Sequence, residues 1–285
     1  MRQFLSPVPP DKNGIILVKG KDYRYLRQVL RLKAGDMLSV RSPGGELFNT
    51  TVCTADDARR TVTLQVCGTC TTPETNAAHR TAGRGVKASD IQNDVSASSN
   101  IEYWLFQFVP QPSKMELIVR QAVECGVKYI VPVAGEYSQK AGPEALKANR
   151  RQRLERIIRE ARQQSGSPVE SCVTECFDLE SALSLWKENC KNANVSNAAF
   201  ALVERNGNCK GLQKLSKGGN GVPQKIAVAV GSEGGISPAE ADSLVKAGFV
   251  PLHFAGNILR CETAALYGIA AVQSAVMQLE AQEEE

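Results

Sequence analysis

Several things are missing from this 285-residue chain, and each absence removes a class of function. No apolar run approaches the roughly 20 residues that a membrane-crossing helix requires, so no membrane role is expected. Histidine is scarce. His79 and His253 occur, and neither stands at a ligand spacing from Cys67-x-x-Cys70 or from the Cys172/Cys176 pair. Those pairs are read as ordinary thiols, and no metal is expected. No phosphate-loop sequence, two glycines followed by Lys and Ser or Thr, is present, which disfavours nucleotide hydrolysis. The start lacks the charged and apolar regions of a secretory signal, and the nine cysteines are odd in number and unevenly spaced. A reducing, cytoplasmic setting with free thiols is expected. Charge is modest too: a net value of +4 allows an anionic partner without requiring one.

What is present is enough chain for two domains with real cores. The organising stretch is 226–263. Its apolar runs 226–230 and 249–254 read as strands, each entering a loop of small residues. The first loop is Gly231-Ser232-Glu233-Gly234-Gly235, where glycine lets the backbone turn and approach a ligand. The second is Ala255-Gly256-Asn257-Ile258-Leu259-Arg260. Between them Ser237-Pro238-Ala239-Glu240 is a capping box with Pro at the first helical position, and Gly248 closes that helix. Strand, loop, helix, strand, loop, helix is a βαβα pattern, so both loops are expected at the carboxyl ends of strands, where ligands sit.

Upstream, residues 1–67 read as a small β domain with short runs at 14–18, 37–40 and 61–66 and one helical segment at 21–32. Arg2, Arg24, Arg27 and Arg31 there could hold phosphates or form a solvated basic face. Residues 68–100 lose hydrophobic periodicity and read as a flexible linker or insertion. Residues 101–285 open with a buried strand at 103–109, a helix at 114–125 and a strand at 127–133, an order that predicts a parallel sheet. Over 149–165 Leu154, Ile157, Ile158 and Ala161 repeat as a buried stripe. Arg150, Arg153, Arg156, Arg159 and Arg162 wind around the other side, which is how plain solvated charge looks. A helix at 181–189, a strand at 198–203 and a closing helix at 262–278 complete the pattern.

Taken together, the glycine loop, the later Ile258-Leu259-Arg260-x-Glu262-Thr263-Ala264, and Lys114-Met115-Glu116 with Glu124-Cys125-Gly126-Val127 carry a resemblance. So do Met1-Arg2-x-Phe4 and Val29-Leu30-Arg31-Leu32-x-x-Gly35-Asp36. The chain resembles the ribosomal small-subunit (16S) RNA uridine-N3 methyltransferases, a branch of the SPOUT methyltransferases. The resemblance implies an α/β fold: a SPOUT-type parallel sheet with a C-terminal trefoil knot over 101–285, preceded by a PUA-like β-barrel that binds RNA over 1–67. It implies S-adenosylmethionine as methyl donor, ribosomal RNA or the small ribosomal subunit as partner, and a homodimer.

By the same resemblance the cofactor would lie against Leu202, Val203, Glu204, Gly231, Glu233, Gly234, Phe254, Ala255, Gly256, Ile258 and Leu259, and RNA against Arg2, Arg27 and Arg31. Arg260, Glu262 and Glu233 are the catalytic candidates. Uridine N3 carries a proton, so a base or a cation that stabilises the uracil anion is required. Arg260 suits the cation. Glu262 suits either the proton acceptor or the group that fixes Arg260, and it could instead serve the amides of the helix start. Glu233 could organise the glycine loop. Two departures from the family pattern stand out: Ser232 replaces its Pro, and Phe254-Ala255 replaces its Leu-Gly. Gly-Ser-Glu-Gly also resembles the ribose 2′-O methyltransferases of the same superfamily, which leaves that activity, or a non-catalytic RNA-binding protein, as alternatives.

Overall fold

The computed structural model describes residues 3–69, 101–138, 148–191, 196–204, 212, 222–254 and 257–283. The chain divides into two compact units, Met1–Ser99 with Gln163–Pro168, and Asn100–Arg162 with Val169–Glu285.

In the first unit five strands, β1 (Gln3–Leu5), β2 (Ile15–Lys19), β3 (Met37–Arg41), β4 (Leu47–Asp56) and β5 (Thr61–Thr69), form one sheet in the order β1-β3-β4-β5-β2. β1 runs parallel to β3 and the other pairs are antiparallel. Period-two alternation turns Ile16, Val18, Leu38, Val40, Val52, Val62 and Leu64 inward, where they join Phe4, Tyr23 and Leu26 in one core. β4 is absent from the sequence reading because its inward residues are Phe48, Thr50 and Val52. A threonine interrupts the apolar signal there, although its hydroxyl is satisfied by the Leu38 carbonyl at 2.8 Å. β5 includes Cys67, whose Sγ lies 3.0 Å from Thr51 Oγ1.

The helical segment expected at 21–32 is shorter and composite: α1 (Gly20–Arg24) passes into a π-helical turn, Tyr25–Val29. The turn closes with the Leu32 amide donating to the Leu26 carbonyl, a bond spanning six residues around Arg31. That geometry puts Arg31 at φ 55, in the left-handed region where glycine is the usual residue.

The second unit is three layers. Strands β6 (Glu102–Phe108), β7 (Tyr129–Ala134), β8 (Cys172–Val173), β10 (Asn197–Leu202), β11 (Lys225–Val230) and β12 (Val250–Leu252) lie in the order β12-β10-β11-β6-β7-β8, and β9 (Phe177–Asp178) also pairs with β7. Every pair in this sheet is parallel. On one face Leu105, Phe200, Ile226, Val228 and Val230 pack against α2 (Pro112–Glu124), α3 (Ala148–Ser165) and α6 (Cys261–Glu283). On the other, Trp104, Phe106, Ala199, Ala201, Ala227 and Ala229 meet α4 (Leu179–Asn189) and α5 (Pro238–Lys246).

Small alanines on that second face leave room for aromatic rings. Phe106 sits edge-on to both Trp186 (6.1 Å) and Phe249 (5.8 Å). Each such pair contributes about 0.5–1.5 kcal/mol beyond area burial. The strands are near-continuous apolar runs because both of their faces are covered.

Arg31→Gly is expected to stabilise the first unit by about 0.5–1 kcal/mol, because relief of the left-handed backbone outweighs the entropy that glycine adds to the unfolded chain. Amide exchange of β4 and β5 reads this, and faster exchange in the variant would refute it.

Candidate active site

Because the sheet is parallel, the carboxyl ends of β6, β10, β11 and β12 share one edge. From β6 the chain passes through α2 to β7 on one side; from β11 it passes through α5 towards β12 on the other. Adjacent strands β6 and β11 therefore flank a topological switch point, the position beyond whose strand ends α/β folds form a ligand crevice.

The glycine loop leaves β11 at this crevice. A Cβ on Gly231 would lie 2.4 Å from the carbonyl carbon of Gly235, so no side chain fits there. Gly235 has φ +79 and donates to the Ser232 carbonyl at 3.0 Å, closing a tight turn. Its open face lies beside the Glu204 carboxylate, which brings the ends of β10 and β11 together. Ser232, standing in place of the expected proline, is buried and donates its hydroxyl to the Tyr137 carbonyl at 3.0 Å. That bond gives Ser232 a structural occupation.

Two side chains fasten the loop to β6 and α2. Gln107, fully buried at the end of β6, donates through Nε2 to the carbonyls of Gly231 (3.0 Å) and Val230 (3.3 Å). Glu233 accepts the backbone amide of Gln111, the N-cap of α2, at 2.9 Å, and pairs with Lys114 Nζ at 3.1 Å. Its carboxylate thus satisfies a helix-start amide that would otherwise have no intrahelical partner. Burial alone would push the Glu233 carboxyl up, but the amides of Gln111 and of Glu233 itself, with Lys114, outweigh it and hold the group below its ordinary range.

The start of α6 supplies the other charges. Arg260 is exposed and its carbonyl accepts the Ala264 amide at 2.7 Å, so it stands at the helix entrance. Glu262 is held below the usual carboxylate range, first by its own backbone amide and then, against burial, by the Cys261 thiol, Lys114 and Arg260. Cys261 Sγ donates to Glu262 Oε2 at 3.2 Å. Burial, with Glu262 and Glu233 nearby, pushes that thiol up to about 12, so it stays neutral. Arg260 therefore meets Glu262 through charge, and the close partners of Glu262 are its own helix start and Cys261.

Apolar walls complete the edge. Leu202 lies against Gly268 of α6, and Phe254 packs edge-on to Tyr267 at 4.7 Å. Val203 is tied to β12 through the Leu252 carbonyl at 3.0 Å. Leu259 is half-buried and Ile258 is 64% exposed. Ala255 and Gly256 lie outside the described residues, as does Arg2.

Of the remaining RNA candidates, Arg27 is held in a two-pronged ion pair with Asp57 (2.9 and 2.7 Å), which also accepts from Tyr23, while Arg31 is exposed. On α3, Arg151 pairs with Glu155, Arg153 with Glu116 and Arg156 with Glu160, so part of that basic series is already neutralised. Among the described residues no group of three or more His, Cys, Asp or Glu side chains is placed to hold a metal.

Lys114 and Gln107 are the site residues whose positions sequence reasoning did not use. Lys114 was visible as part of a motif, but the carboxylate it meets is far along the chain. Nothing local announces that pairing.

A parallel α/β sheet with a glycine loop and a charged cluster at its switch point makes the second unit a doubly covered α/β domain, a class in which ligands sit beyond the strand ends. Over residues 97–273 the sequence matches the family described as the RNA methyltransferase domain, and the chain belongs to that family. The ribosomal RNA small subunit methyltransferase E of Buchnera aphidicola subsp. Schizaphis graminum is 22% identical over 272 residues, covering 92% of this chain and 91% of that protein. The Bacillus subtilis protein of the same name is 23% identical over 182 residues, and the match spans 60% of this chain and 65% of that one, just under two thirds of its length. Among solved structures, a ribosomal RNA small subunit methyltransferase E from Neisseria gonorrhoeae bound to S-adenosyl methionine is similar with a TM-score of 0.72 at 20% identity, over 96% of this chain and 97% of that one. At that identity the likeness is one of fold.

Glu233 has a folded-state pKa below its ordinary 4.5, so its interactions contribute stability above that pH and lose it as pH falls through the lower folded value. Glu233→Gln is expected to be less stable than the parent near neutrality and to converge with it in acid, in urea unfolding across pH. A gap of equal size in acid would show that charge is not its source.

Proposed function

We propose that the protein methylates N3 of a uridine in small-subunit (16S) ribosomal RNA, using S-adenosylmethionine. The observation that carries this reading is the charged pair Arg260 and Glu262 at the start of α6, in the same unit as a glycine loop too tight for any side chain at Gly231. The family membership and the names of the relatives support it.

The residues suit such a cofactor. Gly231 and Gly235 leave backbone close to the strand ends, and Leu202, Phe254 and Leu259 present apolar walls, with Val203, Glu204, Gly234 and Ile258 nearby in the chain; Ala255 and Gly256 lie outside the described residues. Bound S-adenosylmethionine supplies a methyl group on a sulfonium. The protein must hold the uracil in line with that carbon and remove the N3 proton. Glu262, kept ionised, accepts the proton. Arg260 stabilises the negative charge that spreads over the uracil. S-adenosylmethionine, held there, would supply the methyl carbon to the deprotonated N3 and would leave as a neutral thioether that keeps the carbon–sulfur electron pair. Cys261, neutral and hydrogen-bonded, takes no covalent part. Glu233 acts by holding the glycine loop.

The finer architecture belongs to the same proposal. The strand order β12-β10-β11-β6-β7 supports a SPOUT-type knotted domain over 101–285, and the five-stranded sheet supports a PUA-like barrel over 1–67 that holds RNA through Arg31, Arg2 lying outside the described residues; of the linker expected at 68–100, Gly68 and Thr69 end β5 and residues 70–100 lie outside the described residues. Arg27, already paired with Asp57, serves this barrel by bracing it. A homodimer is supported by α6: no charged residue occurs between Glu262 and Glu280, and Tyr267 and Met277 are 51% and 67% exposed on its outer side. No described helix is long and apolar enough to cross a membrane, and a cytoplasmic location is proposed. The ribose-methylating alternative drew on Ser232, and the bond from that hydroxyl to Tyr137 accounts for the residue without it.

Isothermal calorimetry should show S-adenosylmethionine binding to the protein; no binding would remove both enzyme readings and leave an RNA-binding module. Comparing modified nucleosides in ribosomal RNA from cells with and without the protein should show loss of one 3-methyluridine. Loss of a ribose-methylated nucleotide instead would overturn the N3 assignment. Arg260→Ala should lower kcat by about 10²–10³-fold, as loss of an oriented charge in a transition state does, with cofactor affinity little changed. Unchanged turnover would end the role given to Arg260.

A further inference from the structure

We propose that Tyr137, in the turn after β7, is a stacking platform for an unpaired nucleobase of the RNA substrate, braced by the glycine loop. The proposal deepens the methyl-transfer reading and rests on it for the identity of the RNA. The build of the platform stands apart from that reading.

The turn 135–138 leaves β7 at the carboxyl edge of the sheet, and it is fixed from three sides, all within the second unit. Within the turn, the Ser138 amide donates to the Gly135 carbonyl at 3.1 Å, and the Gly135 amide to Ser138 Oγ at 3.0 Å. From α5, buried Glu240 takes the Ser237 amide of its own capping box on Oε2 (2.8 Å) and the Glu136 amide on Oε1 (2.6 Å). From the glycine loop, Ser232 Oγ donates to the Tyr137 carbonyl at 3.0 Å. Two glycines let these parts close up. A Cβ on Gly135 would collide with the Phe108 ring and the Glu240 carboxylate. One on Gly234 would stand 2.7 Å from Tyr137 Cβ and 3.0 Å from its Cγ. Gly234 has no side chain because Tyr137 lies on it.

These contacts hold the main chain of Tyr137 and the root of its side chain. The rest is open: the residue is 45% exposed, and among the described residues its ring enters no aromatic pair. A single exposed tyrosine means little by itself. One whose backbone is fastened by buried groups is pre-organised, and with only two χ angles it loses little freedom on binding. A nucleobase is the occupant that such a ring suits, since every base has a π face and unpaired RNA bases stack on aromatic side chains. The platform stands beside the loop that the methyl-transfer reading places at the cofactor, so a base held there positions the strand that carries the uridine.

The test uses the full chain with Tyr137→Phe, which keeps the ring, and Tyr137→Leu, which keeps packing on Gly234 but has no π face. The probe is a short single-stranded oligouridylate carrying one 2-aminopurine, whose fluorescence is quenched on stacking. The parent and Tyr137→Phe should quench it; Tyr137→Leu should quench less and bind about tenfold more weakly. Affinity should depend on salt equally in all three, because no charge is altered. An unquenched probe in the parent would overturn the proposal. So would a Tyr137→Leu protein, folded by circular dichroism, that quenches and binds as the parent does. Unchanged RNA binding with a changed oligomeric state would assign the ring to a protein contact instead. If quenching depends on the ring but the parent transfers no methyl group to small-subunit ribosomal RNA, the functional reading fails and the platform remains. If methyl transfer proceeds and Tyr137→Leu matches the parent throughout, the platform alone fails.

Discussion

The carboxylate of Glu233 joins two parts of the chain that the sheet alone would leave apart. β6 and β11 are neighbours, but the segments that follow them diverge to opposite sides of the sheet. The crevice between them is a place where backbone amides and carbonyls run out of strand partners. Glu233 meets the amide at the start of α2, and Gln107 meets the carbonyls at the end of β11. The Gln107 bonds are buried, where an unsatisfied polar group is costly, so the β11 end of the loop has little freedom to open. The glycine loop owes its form to them as much as to its own glycines.

That constraint explains why charge collects at this edge. A buried or half-buried carboxylate is tolerated when it accepts amides and faces a cation. Glu233 has both. Glu262 has its own helix start and the fields of Lys114 and Arg260. The apolar walls contributed by Leu202 and Phe254 come from packing against α6, the same helix that begins with Cys261 and Glu262. One helix thus lines the apolar side of the crevice and supplies its charged rim. The first unit shows a similar economy: Asp57 gathers Arg27 and Tyr23, and its carboxyl is held at about 2 by the hydrogen bonds of Arg27 and then Tyr23.

The elements read best from sequence are those whose causes are local. The capping box of Ser237 and Glu240 closes within three residues, and the structure has both of its bonds. Gly248 ends that helix at φ +95. The strand expected at 226–230 is observed as Lys225–Val230, because a buried parallel strand is apolar on both faces. Elements with weaker local signal were lost or misjudged. β4 was hidden by its threonines, β8 and β9 are two residues each, and the strand expected at 249–254 shortens to Val250–Leu252 because only those residues find a partner in β10. The closing helix begins at Cys261 and runs on to Glu283, past the expected end, since a polar tail can extend a helix without burying anything.

The residues by themselves determined the main strands and helices of the second unit, the parallel sense of its sheet, the glycine loop and the family to which the chain is similar. All of these follow from short-range pattern, in which a residue and its cause lie within a few positions. Only the tertiary structure decided who meets whom at the crevice. Glu233 and its amide partner are 122 positions apart, and no spacing rule spans that distance. It decided that Arg27 is spent on Asp57, that Ser232 is occupied by Tyr137, and that Lys114 pairs with Glu233. Charge pairing depends on separation in space, which falls to a few ångströms only after the sheet has brought β6 and β11 side by side.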